Sequence, residues 1–365
     1  MKSSISSCPR TRHRTLALVV VAHLSFVAHA SDPVGVPPSP AAPDATDAAK
    51  PPAGPVGDDG GVAGGPALHL VPEAPANGQP FLVELTLPSE MAAPGAEIVV
   101  DEAKLGRRRG IVVKRATGAL TLLFSVPIEE KKESLPLRLT VRRPGGPVFL
   151  VEKSIPIAAH PYEESHLSVA KKFTSPPKAA RRRARRESKE LDRIMSVSLD
   201  ESLIRGGFTK PTASEKTSSF GTLRTYNKRR DRSRHLGLDL DGQVGDPIFA
   251  TERGRVVLAK DRYYSGNTVV VDHGGGLFSM YLHLSAFDVK VGDTVERGQT
   301  VGKVGSTGRV TGPHLHFSVK LDGEHLDPES LLALLPADGA VTPTDAGPTT
   351  SDRVAPVPVT VPGVR

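Results

Sequence analysis

From residue 67 to residue 335 the apolar residues come in short runs, each closed within a few positions by glycine, proline or a charged turn. With 33 prolines and 35 glycines among 365 residues, such a chain suits short strands and tight turns. Runs at Phe81–Leu87, Glu97–Val100, Gly110–Val113, Ala119–Val126, Leu135–Val141 and Val148–Ile155 predict a small immunoglobulin-like β-sandwich over 67–160. Later runs at Thr268–Asp272 and Leu277–Leu284 flank His273-Gly274-Gly275-Gly276 and predict a hairpin within a second β domain over 214–335. The expected fold class is therefore mainly β. Only the connector, 161–213, reads otherwise. There Leu191, Ile194, Met195 and Leu199 recur at helical spacing between Lys178 and Ile204, with Pro176-Pro177 at the start.

The ends carry different signals. Lys2, Arg10, Arg12 and Arg14 precede an apolar run, Thr15 to Val27, which ends in Ala28-His29-Ala30. That is the three-part layout of a secretory signal peptide over 1–30. The run is short for a membrane span of ~20 residues, and an uncleaved anchor is the other reading of the same residues. Residues 31–66 and 336–365 are rich in Pro, Ala, Gly and Thr without apolar periodicity, and read as a disordered linker and tail. The only cysteine, Cys8, lies inside the signal peptide. An exported chain would then have no disulfide, no thiolate zinc site and no cysteine nucleophile.

Net charge is +7. Basic balance alone suits nucleic acid, an anionic membrane surface or an acidic wall polymer. Export sets nucleic acid aside and points to the periplasm, cell envelope or extracellular space. The charge concentrates at Lys171, Lys172, Lys178, Arg181, Arg182, Arg183, Arg185 and Arg186. One reading is a tether to anionic envelope polymers; the bland one is a solvated helix face.

Chemistry concentrates in five of the twelve histidines, those between residues 235 and 316. In His235-Leu236-Gly237-Leu238-Asp239, alternation puts His235, Gly237 and Asp239 on one face. Full extension would separate the two polar side chains by ~13 Å, so Gly237 is expected to bend the chain and bring them together. In His314-Leu315-His316, the imidazoles at i and i+2 share a strand face and can address one metal centre. In Tyr281-Leu282-His283, His283 is expected to share a face with Tyr281, and His273 is expected to be a turn residue. His69, His160, His166 and His325 stand alone and read as surface or packing residues. Imidazoles and one carboxylate make the ligand set of a catalytic zinc site, which keeps a position open for water. The surplus histidines would move protons or stabilise an oxyanion.

These motifs resemble the lysostaphin-type, LytM-like zinc metallopeptidases, which cut peptides in bacterial peptidoglycan. The resemblance runs over about Ser219 to Leu335. It rests on Phe220-Gly221, HLGLD at 235–239, GDPIFAT at 245–251, GNTVVVDHG at 266–274, MYLHLS at 280–285, the run 289–317 ending in GPHLHF, and Asp327-Pro328. It implies a small antiparallel β domain with an open groove. It implies His235, Asp239 and His316 as zinc ligands and His283 and His314 as the catalytic pair. Tyr226, Asn267 and Arg309 become groove candidates. The implied activity is endopeptidase cleavage of peptidoglycan peptides. The alternative is a non-hydrolytic peptidoglycan-binding module or an activator of another wall hydrolase.

Overall fold

The computed structural model describes residues 18–20, 66–89, 91, 97–113, 119–167, 176–226 and 232–337. The expected signal peptide, linker and tail fall outside these residues except for Leu18–Val20, Pro66, Pro336 and Ala337. No helix among the described residues is long and apolar enough to cross a membrane.

The first domain is two antiparallel sheets. One pairs Leu18–Val20, Ile98–Leu105, Ser134–Arg142 and Val148–Pro156, with Arg108–Arg109 folded back on the second of these. The other pairs Ala67–Val71, Pro80–Thr86, Leu120–Ser125 and Ile111–Val113. All six runs expected from sequence form strands. Strict alternation explains the clearest one: Leu135, Leu137, Leu139 and Val141 point inward from Ser134–Arg142 and meet Phe81, Leu122 and Phe124 of the facing sheet.

The second domain is built on an eight-stranded sheet. Its path runs Lys216–Ser218, Leu238–Leu240, Leu315–Leu321, Leu277–Leu284, Gly266–Asp272, Gly254–Arg262 and Thr294–Val295, and Glu324–Leu326 also pairs with Leu315–Leu321. The expected hairpin forms, with Gly274, Gly275 and Gly276 all at positive φ in its turn. One sheet face carries Leu240, Val271, Tyr281 and Phe317 into the main core. The opposite face carries Leu258, Val270, Phe278 and Met280.

A helix, Lys178–Met195, lies on that second face through Leu191, Ile194 and Met195. It stops nine residues before the expected end at Ile204. Asp272 accounts for the break, because its carboxylate accepts from Ser198 Oγ at 2.6 Å and from the Leu199 N–H at 2.9 Å. Those bonds pull the chain onto the hairpin instead of into another turn. Ile204 and Phe208 are then buried in the main core.

The two domains share packing. Leu82, Ile111 and Val113 of the sandwich join the core cluster of the second domain. Arg108 pairs with Glu324, Arg109 with Asp322 at 3.2 Å, and Arg234 with Glu129 at 2.6 Å. A short strand, Glu164–Leu167, leaves the sandwich and pairs in parallel with Leu223–Tyr226.

Candidate metal centre

Strand register brings the first two polar groups together. Asp239 lies directly across from His316, between the pairs Leu238↔Phe317 and Leu240↔Leu315. The four apolar side chains enter the core, so the carboxylate and the imidazole share the opposite face. His235 precedes its strand and swings in beside them. The three donor atoms converge: His235 Nε2 lies 2.9 Å from Asp239 Oδ1 and 3.0 Å from His316 Nδ1, which is 2.8 Å from the same oxygen. A triangle of that size is within reach of one ion at the usual ~2.0–2.2 Å ligand distance.

Neighbours fix which atoms face the centre. His235 Nδ1 donates to the Ser219 carbonyl at 2.8 Å, which leaves Nε2 as the lone-pair donor. Arg224 holds the other carboxylate oxygen, with Nη2 donating to Asp239 Oδ2 at 2.7 Å and to Ser218 Oγ at 2.8 Å. Burial works against charge on Asp239, yet its bonds with His235 and His316 outweigh burial and hold the carboxyl well below its usual range. Burial lowers the pKa of His316 against the pull of Asp239, which favours the neutral, ligating form. Two imidazoles and a carboxylate, with His235 and Asp239 each backed by a second partner, fit zinc.

Gly237 serves a different purpose from the one expected. Its φ is not among the positive values, so it supplies no left-handed bend. It supplies space: a Cβ there would meet His316 Nε2 at 2.5 Å and the Phe317 carbonyl at 2.6 Å.

His283 corrects a second expectation. Tyr281 is fully buried in the core, opposite Phe317, and its hydroxyl accepts from the Thr251 N–H at 2.8 Å. Alternation would send His283 the same way. Instead, pairing with Gly266–Asp272 slips by one residue between Val269↔Tyr281 and Asn267↔Leu284, and His283 adopts a φ of 66°. This bulge turns the imidazole to the groove side, 5.1 Å from the His314 ring and 6.0 Å from the His316 ring. A non-glycine residue at positive φ is uncommon and tends to mark functional sites. Its Nδ1 donates to the Thr307 carbonyl at 2.8 Å, and burial, with His316 and His314 adding to it, lowers its pKa to about 3. His314 is pinned likewise, with Nδ1 donating to the Gly312 carbonyl at 2.9 Å and Nε2 3.7 Å from Asp239 Oδ1.

The five groups line a groove of ≈ 700 Å³ with Arg309, Tyr264 and Leu191. Arg309 stacks its guanidinium over Tyr264 at 5.0 Å. Asn267 is not among the lining residues. Its Nδ2 donates to the Leu284 carbonyl at 3.1 Å and ties two strands together behind the site. Tyr226 closes the strand Leu223–Tyr226, and its side chain lies outside the description. His273 is fully buried rather than displayed on the turn, held between the Arg253 carbonyl at 2.7 Å and Ser279 Oγ at 2.8 Å.

Sequence reasoning missed Arg224 and Ser219. Neither has motif spacing, since each reaches the centre through the fold. The nearest signal was the motif Phe220-Gly221, which lies between them.

Residues 233–328 match the description Peptidase family M23. This segment is a peptidase M23 domain. The peptidoglycan DD-endopeptidase ShyA of Vibrio cholerae is 40% identical over 107 residues, covering 29% of this chain and 25% of its own. The glycyl-glycine endopeptidase ALE-1 of Staphylococcus capitis is 45% identical over 85 residues, covering 23% of this chain and 24% of its own. The chain thus spans about a quarter of the length of these curated relatives. A crystal structure from Pseudomonas aeruginosa assigned to peptidase M23 superposes with a TM-score of 0.54 at 28% identity, over 71% of this chain and 96% of that one. That likeness extends well beyond the M23 segment.

Proposed function

We propose that the chain is an exported zinc metalloendopeptidase that hydrolyses peptide cross-links or bridges in bacterial peptidoglycan. The observation that carries this is the convergence of His235, Asp239 and His316 in a groove that also holds His283 and His314. The M23 relatives support the substrate class, since ShyA and ALE-1 are both named for endopeptidase activity. The N-terminal layout of basic, apolar and small residues supports export.

In this reading His235 Nε2, Asp239 Oδ1 and His316 Nδ1 hold the ion. Zinc there would polarise a peptide carbonyl and bring the pKa of water toward ~7. The chain's own residues supply orientation and proton transfer. His283 and His314 spend their Nδ1–H bonds on the Thr307 and Gly312 carbonyls, so each offers an Nε2 lone pair to the groove. One takes a proton from the attacking water and returns it to the amine nitrogen as the C–N bond breaks, and the other accepts a hydrogen bond from the same water and orients it. The backbone carbonyls keep both rings in one tautomer throughout. Arg309 on Tyr264 forms a cationic, planar edge suited to a substrate carboxylate.

The two relatives are named for different bonds, so the test uses both. Defined peptidoglycans carrying D-alanyl cross-links or glycine bridges are incubated with the zinc-loaded protein, and fragments are read by mass spectrometry. New peptide termini in one of them are expected. His314→Ala should abolish them while zinc, measured by metal analysis, stays bound. Intact substrates in both incubations would sink the hydrolase reading in favour of a binding module.

A further inference from the structure

The helix Lys178–Met195 segregates its charges. Successive positions advance about 100°, so Lys178, Arg181, Arg182, Arg185, Arg186 and Lys189 fall within an arc of about 140°. Arg193 continues the stripe, which is then ~23 Å long at 1.5 Å per residue. All of these side chains are exposed, and among the described residues none of them forms an ion pair.

The helix's glutamates point the other way. Glu187 accepts from Arg183 at 2.6 Å and from the Tyr263 N–H at 2.9 Å, and Glu190 pairs with Lys260 at 2.9 Å. They dock the helix together with Leu191, Ile194 and Met195. Asp192 is the one acid near the basic arc. The same helix walls the groove, where Leu191 faces Met280 and Leu282.

We infer that this stripe binds the carboxylates of the same peptidoglycan whose peptide occupies the groove, holding the enzyme on its polymer between cuts. The inference rests on the substrate class proposed above. Two observations favour the wall polymer as occupant. Position is one, because stripe and groove share a helix, so one polymer can meet both. Composition is the other. A helix that lies on a lipid surface needs a free apolar face, and this one has spent its apolar face on the sheet.

The test replaces Arg181, Arg182, Arg185 and Arg186 with Gln together in the full chain. Glutamine keeps helix propensity at exposed positions, and an unchanged circular dichroism spectrum and Tm confirm the fold. Binding to purified sacculi is measured in a His314→Ala background, so that the wall is not digested. The form with the native stripe should lose affinity roughly tenfold between ~50 and ~200 mM salt, as screening shortens the reach of its charges. The substituted form should bind roughly tenfold more weakly at low salt and respond little to added salt. With His314 intact, both forms should cleave a small soluble cross-linked muropeptide at the same rate.

Equal sacculus binding with equal salt response overturns the inference. So does a parallel loss on the soluble muropeptide, which would place the arginines in the groove's own chemistry. Charge-dependent binding to anionic phospholipid vesicles that exceeds binding to sacculi would make a membrane the occupant. If neither form cleaves the soluble muropeptide, the hydrolase reading fails, while sacculus binding still decides the stripe.

Discussion

Replacing Gly237 with alanine should disable the metal centre with little harm to the fold. The added Cβ would lie 2.5 Å from His316 Nε2 and 2.7 Å from its Cε1, where ordinary contact begins at 3.4 Å. Something must retreat by about 0.9 Å. The Phe317 carbonyl oxygen at 2.6 Å must yield as well, so both the paired strand and the imidazole it carries are displaced. Its Nδ1 now sits 2.8 Å from Asp239 Oδ1 and 3.0 Å from His235 Nε2. Metal ligands tolerate errors of only ~0.2 Å, and a misplacement of ~1 Å at a reacting centre costs on the order of 10²-fold in rate. Overpacking against the Phe317 carbonyl adds a stability cost of about 1–3 kcal/mol, too small to unfold a typical domain. The assay pairs zinc content by mass spectrometry with sacculus hydrolysis and a thermal melt. A ~100-fold slower, zinc-depleted but folded variant is expected. Gly312→Ala is the comparator, because nothing lies within 4 Å of the Cβ it would gain, and it should retain full zinc. If Gly237→Ala keeps stoichiometric zinc and the normal rate, the close approach of the two strands is not what this glycine serves.

Arg224→Gln should weaken zinc binding by about 10–100-fold, since Asp239 Oδ2 loses the partner that orients the carboxylate. Competition with a chromophoric chelator measures it, and unchanged or tighter binding would refute the orienting role. His273 should make the protein acid-sensitive. Burial lowers its pKa from 6.5 to about 4, so the folded state binds fewer protons than the unfolded one. Its contribution is complete above pH 6.5 and is lost progressively as pH falls toward 4, about 3 kcal/mol in all at ~1.4 kcal/mol per pH unit. Urea melts across that window should show a shallower acid limb for His273→Asn, and identical slopes would remove His273 from the account.

What the sequence made legible follows from range of interaction. Strands of the sandwich could be read because each buries alternate residues, as Leu135, Leu137, Leu139 and Val141 do. The hairpin could be read because three consecutive glycines punctuate two apolar runs. His235, Asp239 and His316 could be singled out because the motifs are short and local, with resemblance deciding between His314 and His316. The orientation of His283 could not be read. Period-two logic fails at a bulge, and a bulge arises from pairing with another strand. Arg224 was equally hidden, since only the packing of Leu223–Tyr226 beside the centre gives it a partner. The end of the helix was misplaced because Asp272, far along the chain, captures Ser198 and Leu199.

Those long-range contacts also bear on what the working unit is. The M23 match covers 233–328, yet the groove takes Ser165 from the strand after the sandwich, Leu191 from the helix and Arg224 from the strand before His235. The sheet face that carries the groove also holds Leu258, Val270, Phe278 and Met280, and the helix supplies their cover through Leu191, Ile194 and Met195. Burying one such side chain stabilises by roughly 1.5–3 kcal/mol, so uncovering several of them together rivals the whole stability of a domain. Ile204 and Phe208 enter the same core as Tyr281 and Phe317. On the far side, Ile111 of the sandwich packs against Gly275 of the hairpin whose next strand carries His283, and a Cβ on that glycine would meet it at 2.7 Å. The turn of the hairpin that presents His283 is therefore held twice, by Asp272 binding the segment after the helix and by Ile111 of the sandwich. The elements upstream of the M23 segment are structural parts of the candidate groove, and the helix that covers its sheet is the same one that turns a basic stripe outward.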